Sequence, residues 1–75
     1  MANAVVALDT AILNHLKAHP KAHPMSSPYI RRLAQHTDEC RDGRLPNRVI
    51  EERMRQLRKE GRWSWCPSRR YVVQG

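Results

Sequence analysis

Apolar residues recur at helical spacing in three stretches of this 75-residue chain and at strand spacing in a fourth. In the first stretch Leu8, Ile12 and Leu16 fall at i, i+4, i+8, and Leu13 widens the stripe. This predicts a helix over residues 8–19, with Asp9 or Thr10 as its cap and the small apolar residues 1–7 as a frayed lead-in. Pro20 ends it, because proline lacks the backbone donor and disfavours α geometry at His19. Residues 21–26 read as a linker whose large apolar residue, Met25, turns inward.

The second helix is expected over residues 27–37. Ser27 caps it, Pro28 takes the first helical position, and Ile30, Leu33 and Ala34 form its buried stripe. Ala34 is small where a close helix crossing needs it to be. Residues 37–46 read as a loop turning at Asp42-Gly43, which is long for a link between short helices. The third helix is expected over residues 47–60, capped by Asn47 and closed by Gly61, with Ile50, Met54 and Leu57 on one stripe. After Gly61 the period becomes 2. Trp63 and Trp65 alternate with Ser64 and Cys66, and Tyr71 and Val73 alternate with Arg70 and Val72. A β-hairpin over residues 62–74 is predicted, with Pro67-Ser68-Arg69 between its strands.

The order is helix, helix, helix, hairpin: a mainly α chain with a C-terminal β-hairpin, of the α+β class, in one domain over residues 1–75. A chain this short builds a small core, and with no Phe its two Trp and two Tyr supply the large side chains. No apolar run approaches the roughly 20 residues of a membrane span. The N-terminus has no basic stretch before its short apolar run, which argues against a signal peptide. Cys40 and Cys66 do not make a disulfide scaffold, so a cytoplasmic chain with reduced thiols is the expectation.

Charge changes the picture more than composition does. The net charge is +7. Residues 1–43 carry +1 of it, and residues 44–75, with nine Lys/Arg against three Glu, carry +6. The basic charge therefore lies on the third helix and the hairpin. A polyanionic partner is the sharper reading and a solubilising surface the plainer one.

The elements resemble a winged helix-turn-helix domain along nearly the whole chain. LDTAILNHLKAHP is similar to the first helix of that family and SPYIRRLAQHT to the second. VIEERMRQLRKEGRW resembles the recognition helix running into the first wing strand, with the Leu57, Gly61, Trp63 spacing of that junction. SRRYVV resembles the return strand. The turn before the third helix is longer than the family's usual one. The resemblance implies a three-helix fold, a third helix lying in the DNA major groove, and no enzymatic activity. It also implies a small bacterial or phage transcriptional regulator that binds double-stranded DNA sequence-specifically.

On this reading Asn47, Arg48, Glu51, Glu52 and Arg55 face the bases. Arginine offers paired donors to guanine, asparagine pairs with adenine, and glutamate accepts from cytosine N4. Ser27, Tyr29, Arg31, Arg44, Arg58, Lys59 and Arg62 are the candidate backbone contacts, the first of them aided by a helix N-terminus. Ser68, Arg69 and Arg70 sit where a wing tip would meet the backbone or minor groove. A solvated helix laced by Glu51–Arg55, Glu52–Arg55 and Glu51–Arg58 pairs is the competing reading. One domain makes few base contacts, so a homodimer on a two-fold site is the natural way to gain affinity.

Other chemistries find less support. His19 and His23, with Cys40 and Cys66, lack the paired spacing of a zinc site. Cys40 beside His36 lacks a third group to orient a nucleophile. No glycine-rich phosphate loop is present, so no cofactor is expected. Trp63 and Trp65 could stack on bases, although at strand spacing they suit a core. Two further classes stay open. One is a protein-interaction module, either an adaptor or a phage-encoded inhibitor binding an acidic surface; the other is RNA binding.

Overall fold

The computed structural model describes residues 4–74. Helix α1 spans Ala4–Ala18, α2 Pro28–Gln35, the single turn α3 Asp38–Arg41, and α4 Pro46–Lys59. Strands β1 (Trp63–Cys66) and β2 (Arg70–Val73) form an antiparallel hairpin, and a 3-10 turn covers Pro24–Ser26. The chain is thus mainly helical with a C-terminal two-stranded hairpin.

The three apolar stripes meet. Leu8, Ile12 and Leu16 from α1, Ile30 and Ala34 from α2, and Val49, Ile50, Met54 and Leu57 from α4 form one buried cluster, closed by Trp63. Met25 packs against it from the 3-10 turn, as its place in an otherwise polar linker suggested. Val49 broadens the α4 stripe beyond the three residues that periodicity picks out. In the hairpin Trp63 faces Val73 and Trp65 faces Tyr71, so these four side chains share one face. The Trp63 indole N–H donates to the Met54 carbonyl at 2.9 Å and fixes the hairpin against α4. On its other edge the Tyr71 N–H donates to the Pro20 carbonyl at 3.0 Å, tying β2 to the end of α1.

Several boundaries differ from the sequence expectation, each for a local reason. Residues 4–7 are the first turn of α1 rather than a lead-in; residues 1–3 lie outside the described part. Asp9 and Thr10 are therefore interior and cap nothing. Thr10 Oγ1 donates back to the Val6 carbonyl, and Asp9 bonds to Arg53. Ser27 does cap α2, its hydroxyl oxygen accepting from the Ile30 N–H at 3.4 Å. α2 stops at Gln35, and the fully buried Thr37 donates its hydroxyl to the Ala34 carbonyl at 2.6 Å.

The expected loop of residues 37–46 contains the turn α3, which begins with Asp38 and Glu39 at its positive end. Gly43, at φ +101°, ends it, with Gly43 N–H bonded to the Cys40 carbonyl and Arg44 N–H to the Glu39 carbonyl. Asn47 is not the cap of α4. Pro46 takes the first helical position and forces Leu45 into extended geometry (φ −71°, ψ 142°), so Leu45 occupies the cap site.

The C-terminus of α4 closes as expected. Gly61 adopts φ +74°, its N–H bonds to the Arg58 carbonyl, and the Arg62 N–H bonds to the Leu57 carbonyl at 2.9 Å. A Cβ at Gly61 would meet nothing within 4 Å, so the cost of adding one is conformational alone. Gly61→Ala is expected to lower stability by about 1–2 kcal/mol, read from denaturant unfolding, with the native fold retained. An unchanged midpoint would show that the left-handed geometry is not needed.

Candidate nucleic-acid interface

α4 buries Val49, Ile50, Met54 and Leu57 and leaves Arg48, Glu51, Glu52, Arg55, Arg58 and Lys59 exposed on its other side. A helix of period 3.6 that gives one stripe to the core must offer the rest to solvent or a partner. Asn47 and Arg48, in the first turn, and Arg55 and Lys59, further along, make no side-chain hydrogen bond or ion pair among the described residues. The glutamate pairings expected within the helix do not form. Glu52 instead accepts two hydrogen bonds from Arg44 at 2.6 and 2.5 Å, across the entry to the helix. Arg44 and Glu52 thus satisfy each other, and Arg48 and Arg55 keep unopposed guanidinium groups.

A second pair sits on the buried flank. Arg53 donates to both carboxylate oxygens of Asp9, at 2.8 and 2.7 Å, joining α4 to α1 across 44 residues of sequence. The hydrogen bonds to Asp9 raise the Arg53 pKa above its ordinary value, against the opposing effect of partial burial. This pair ties α4 to α1 in the orientation that burial of Val49, Ile50, Met54 and Leu57 already dictates.

The hairpin projects beside α4. Ser68 and Arg69 are exposed in its turn, and Arg70 follows in β2. Arg70 has φ 65°, a left-handed geometry that costs a non-glycine residue about 1–2 kcal/mol. Its guanidinium lies over the Trp65 ring at 5.6 Å. Trp65 is 46% exposed, whereas Trp63 is 7% exposed. Only one tryptophan therefore belongs to the core. Cys66 ends β1 with its thiol 3.2 Å from the Ser68 hydroxyl. That contact, with backbone N–H groups of the turn, lowers the thiol pKa to about 7.

The remaining candidates scatter. Ser27 and Tyr29 line a groove between α1 and α2, and Arg31 borders a separate hollow with Arg32 and Gln35. Arg62 lies on the far side of the hairpin, beside Lys17 and Gln74. The fold brings Asn47, Arg48, Glu51, Arg55, Arg58 and Lys59 onto one helix and Ser68 and Arg69 onto the adjoining turn, with Arg70 at the start of β2; it does not gather Tyr29 or Arg62 with them.

Comparison with protein families, curated proteins and solved structures finds no match to this chain. Function must be read from the site itself.

Two residues beside the candidate face, His23 and Tyr71, were not among the sequence candidates for it. Both line a groove against α4 that exists only once the hairpin has folded back. The half-buried His23 accepts the Met25 N–H at Nδ1, 3.1 Å away, and so caps the 3-10 turn. Burial lowers its pKa; Glu51 opposes that shift, while His15 adds to it. The folded state therefore prefers neutral His23. Its stabilising effect is complete above the unfolded value of about 6.5 and is lost as pH falls through the lower folded value. The difference in unfolding free energy between the parent chain and His23→Asn should shrink from pH 7.5 to pH 5. A difference that does not change with pH would contradict this.

Proposed function

We propose that this chain is a winged helix-turn-helix protein that binds double-stranded DNA sequence-specifically. α4 serves as the recognition helix and the β1–β2 turn as the wing. The observation that carries this reading is the pair of unopposed arginines, Arg48 and Arg55, on the exposed face of a helix fixed to the core by its opposite side. B-DNA's major groove is about 12 Å wide and admits one such helix, with its first turns nearest the bases. The order of three core helices and a C-terminal hairpin agrees with the assignment.

Two further observations support it. Arg70 occupies a backbone geometry that glycine would adopt at less cost, which is a reason to look for function at the wing. The Arg44–Glu52 pair removes one of the two glutamates that would repel phosphate. The protein acts by occupancy, in the cytoplasm at the nucleoid, as a small transcriptional regulator without catalytic chemistry. A second copy on a two-fold site doubles the base contacts.

The test is selection from a random duplex pool, followed by salt titration of the selected site. One enriched motif is expected. With about six phosphates neutralised, log K should fall against log salt with a slope near −5. A flat pool without a salt slope would overturn the reading and favour an acidic protein surface as the partner.

A further inference from the structure

A groove of about 420 Å³ runs between α4 and the hairpin. One wall is aromatic, formed by His23, Trp63 and Tyr71, and the other carries Glu51, Arg55 and Arg58. The Tyr71 ring meets Trp63 at 5.4 Å and 67° and His23 at 6.2 Å and 77°. These are edge contacts, as is that of Tyr71 with Trp65 at 5.1 Å and 77°, so no two of the rings stack in parallel. Trp63 is only 7% exposed and lies under Arg58, which leaves the half-buried Tyr71 and His23 as the rings a flat guest reaches. The Arg58 guanidinium lies over Trp63 at 5.7 Å, a position that uses its face and leaves its in-plane N–H donors available. Arg55 has no ion-pair partner among the described residues. Glu51 accepts no hydrogen bond among them either.

We propose that this groove binds an unpaired nucleotide, with its base against the aromatic wall, its phosphate at Arg55 and Arg58, and an exocyclic amine at Glu51. The three features of the groove match three features of one ligand. A π face suits a base of any kind, paired arginines suit a phosphate, and a carboxylate suits an amine-bearing base such as cytosine. A plain anion would leave the aromatic wall unused, and an apolar ligand would bury Glu51 and Arg55 without partners. The phosphate-bearing base could come from a single strand or from a free nucleotide. The groove shares Glu51 and Arg55 with the proposed duplex-reading face but does not depend on duplex reading.

Trp63 lines the groove and Trp65 packs on Tyr71 at 5.1 Å, so tryptophan fluorescence reports on it. The protein is titrated with an eight-nucleotide deoxycytidine oligomer, the matching thymidine oligomer, an abasic octamer of equal charge, and deoxycytidine monophosphate. The cytidine oligomer is expected to quench emission and bind at least tenfold tighter than the abasic octamer, since base–aromatic stacking is sequence-tolerant but needs a base. Arg58→Ala should weaken it about tenfold, and Lys17→Ala, on α1, by less than twofold. A preference for cytidine over thymidine that disappears in Glu51→Ala places the amine at Glu51. Monophosphate that binds as tightly as the oligomer identifies a free nucleotide as the ligand; tighter oligomer binding identifies a strand. Equal affinity for the abasic octamer, or no effect of Arg58→Ala in a protein with native circular dichroism, overturns the proposal. Duplex recognition fails separately, by a flat pool, so the two readings can fall independently.

Discussion

Ile50→Ala should unfold this protein at temperatures where the parent chain is stable. Ile50 is fully buried at the centre of the α4 stripe, with Leu8, Ile12 and Leu16 of α1 in the same cluster. Removing its outer carbons loses transfer free energy and leaves a cavity, together costing about 2–5 kcal/mol. A domain of this size sits near the low end of the usual stability of about 5–15 kcal/mol. The melting temperature should fall by about 8 °C or more, since each kcal/mol is worth about 4–8 °C in a domain of 60–100 residues. Ile50→Val removes one carbon and should cost only about 0.5–1.5 kcal/mol. Thermal unfolding followed by circular dichroism separates the two. An Ile50→Ala chain that melts with the parent would remove α4 from the core, and the orientation of its basic face with it.

The second large effect is expected on recognition rather than folding. Arg48→Ala and Arg55→Ala each delete an exposed guanidinium that has no hydrogen-bond or ion-pair partner among the described residues, so neither leaves a buried charge behind and both should fold. If each guanidinium pairs with a guanine, each loss removes about 1–3 kcal/mol of discrimination at one base pair. Affinity for the selected site should fall by roughly five- to over a hundredfold per substitution, while affinity for unrelated duplex falls far less. Arg69→Ala should behave differently. In the hairpin turn it is a candidate backbone contact, so it should weaken all sequences alike and reduce the salt slope by about one. Competition binding on matched and mismatched duplexes reads both. Equal losses on every sequence for Arg48→Ala and Arg55→Ala would reassign them to the phosphate backbone.

The elements that periodicity and punctuation encode are present where the residues put them. Leu8, Ile12 and Leu16, the Ser27-Pro28 start, the Gly61 stop and the alternation from Trp63 to Val73 each act through near neighbours, within one or two turns or across one hairpin. The elements that were misread are those in which two local signals competed. Asn47 is a good capping residue, but Pro46 restricts Leu45 before Asn47 can act. Asp9 is a good capping residue too, yet the chain is already helical from Ala4, and Arg53 offers its carboxylate two hydrogen bonds. The turn α3 was read as loop: Asp42-Gly43 marked a turn, but the four residues of the helical turn before it are too few to show a period.

The candidate site divides in the same way. That α4 would bury one face and present a basic one was determined by the sequence alone, because burial of Ile50, Met54 and Leu57 decides where every other residue on a rigid helix points. Which charges stay free on that face was a tertiary decision. Arg44 reaches Glu52, Arg53 reaches Asp9, and Arg48 and Arg55 are left over. The groove is tertiary as well: His23 lies 48 residues before Tyr71 and comes beside it only when β2 docks on the end of α1. Side chains far apart in the chain acquire partners through packing, and a linear pattern records periodicity but not proximity.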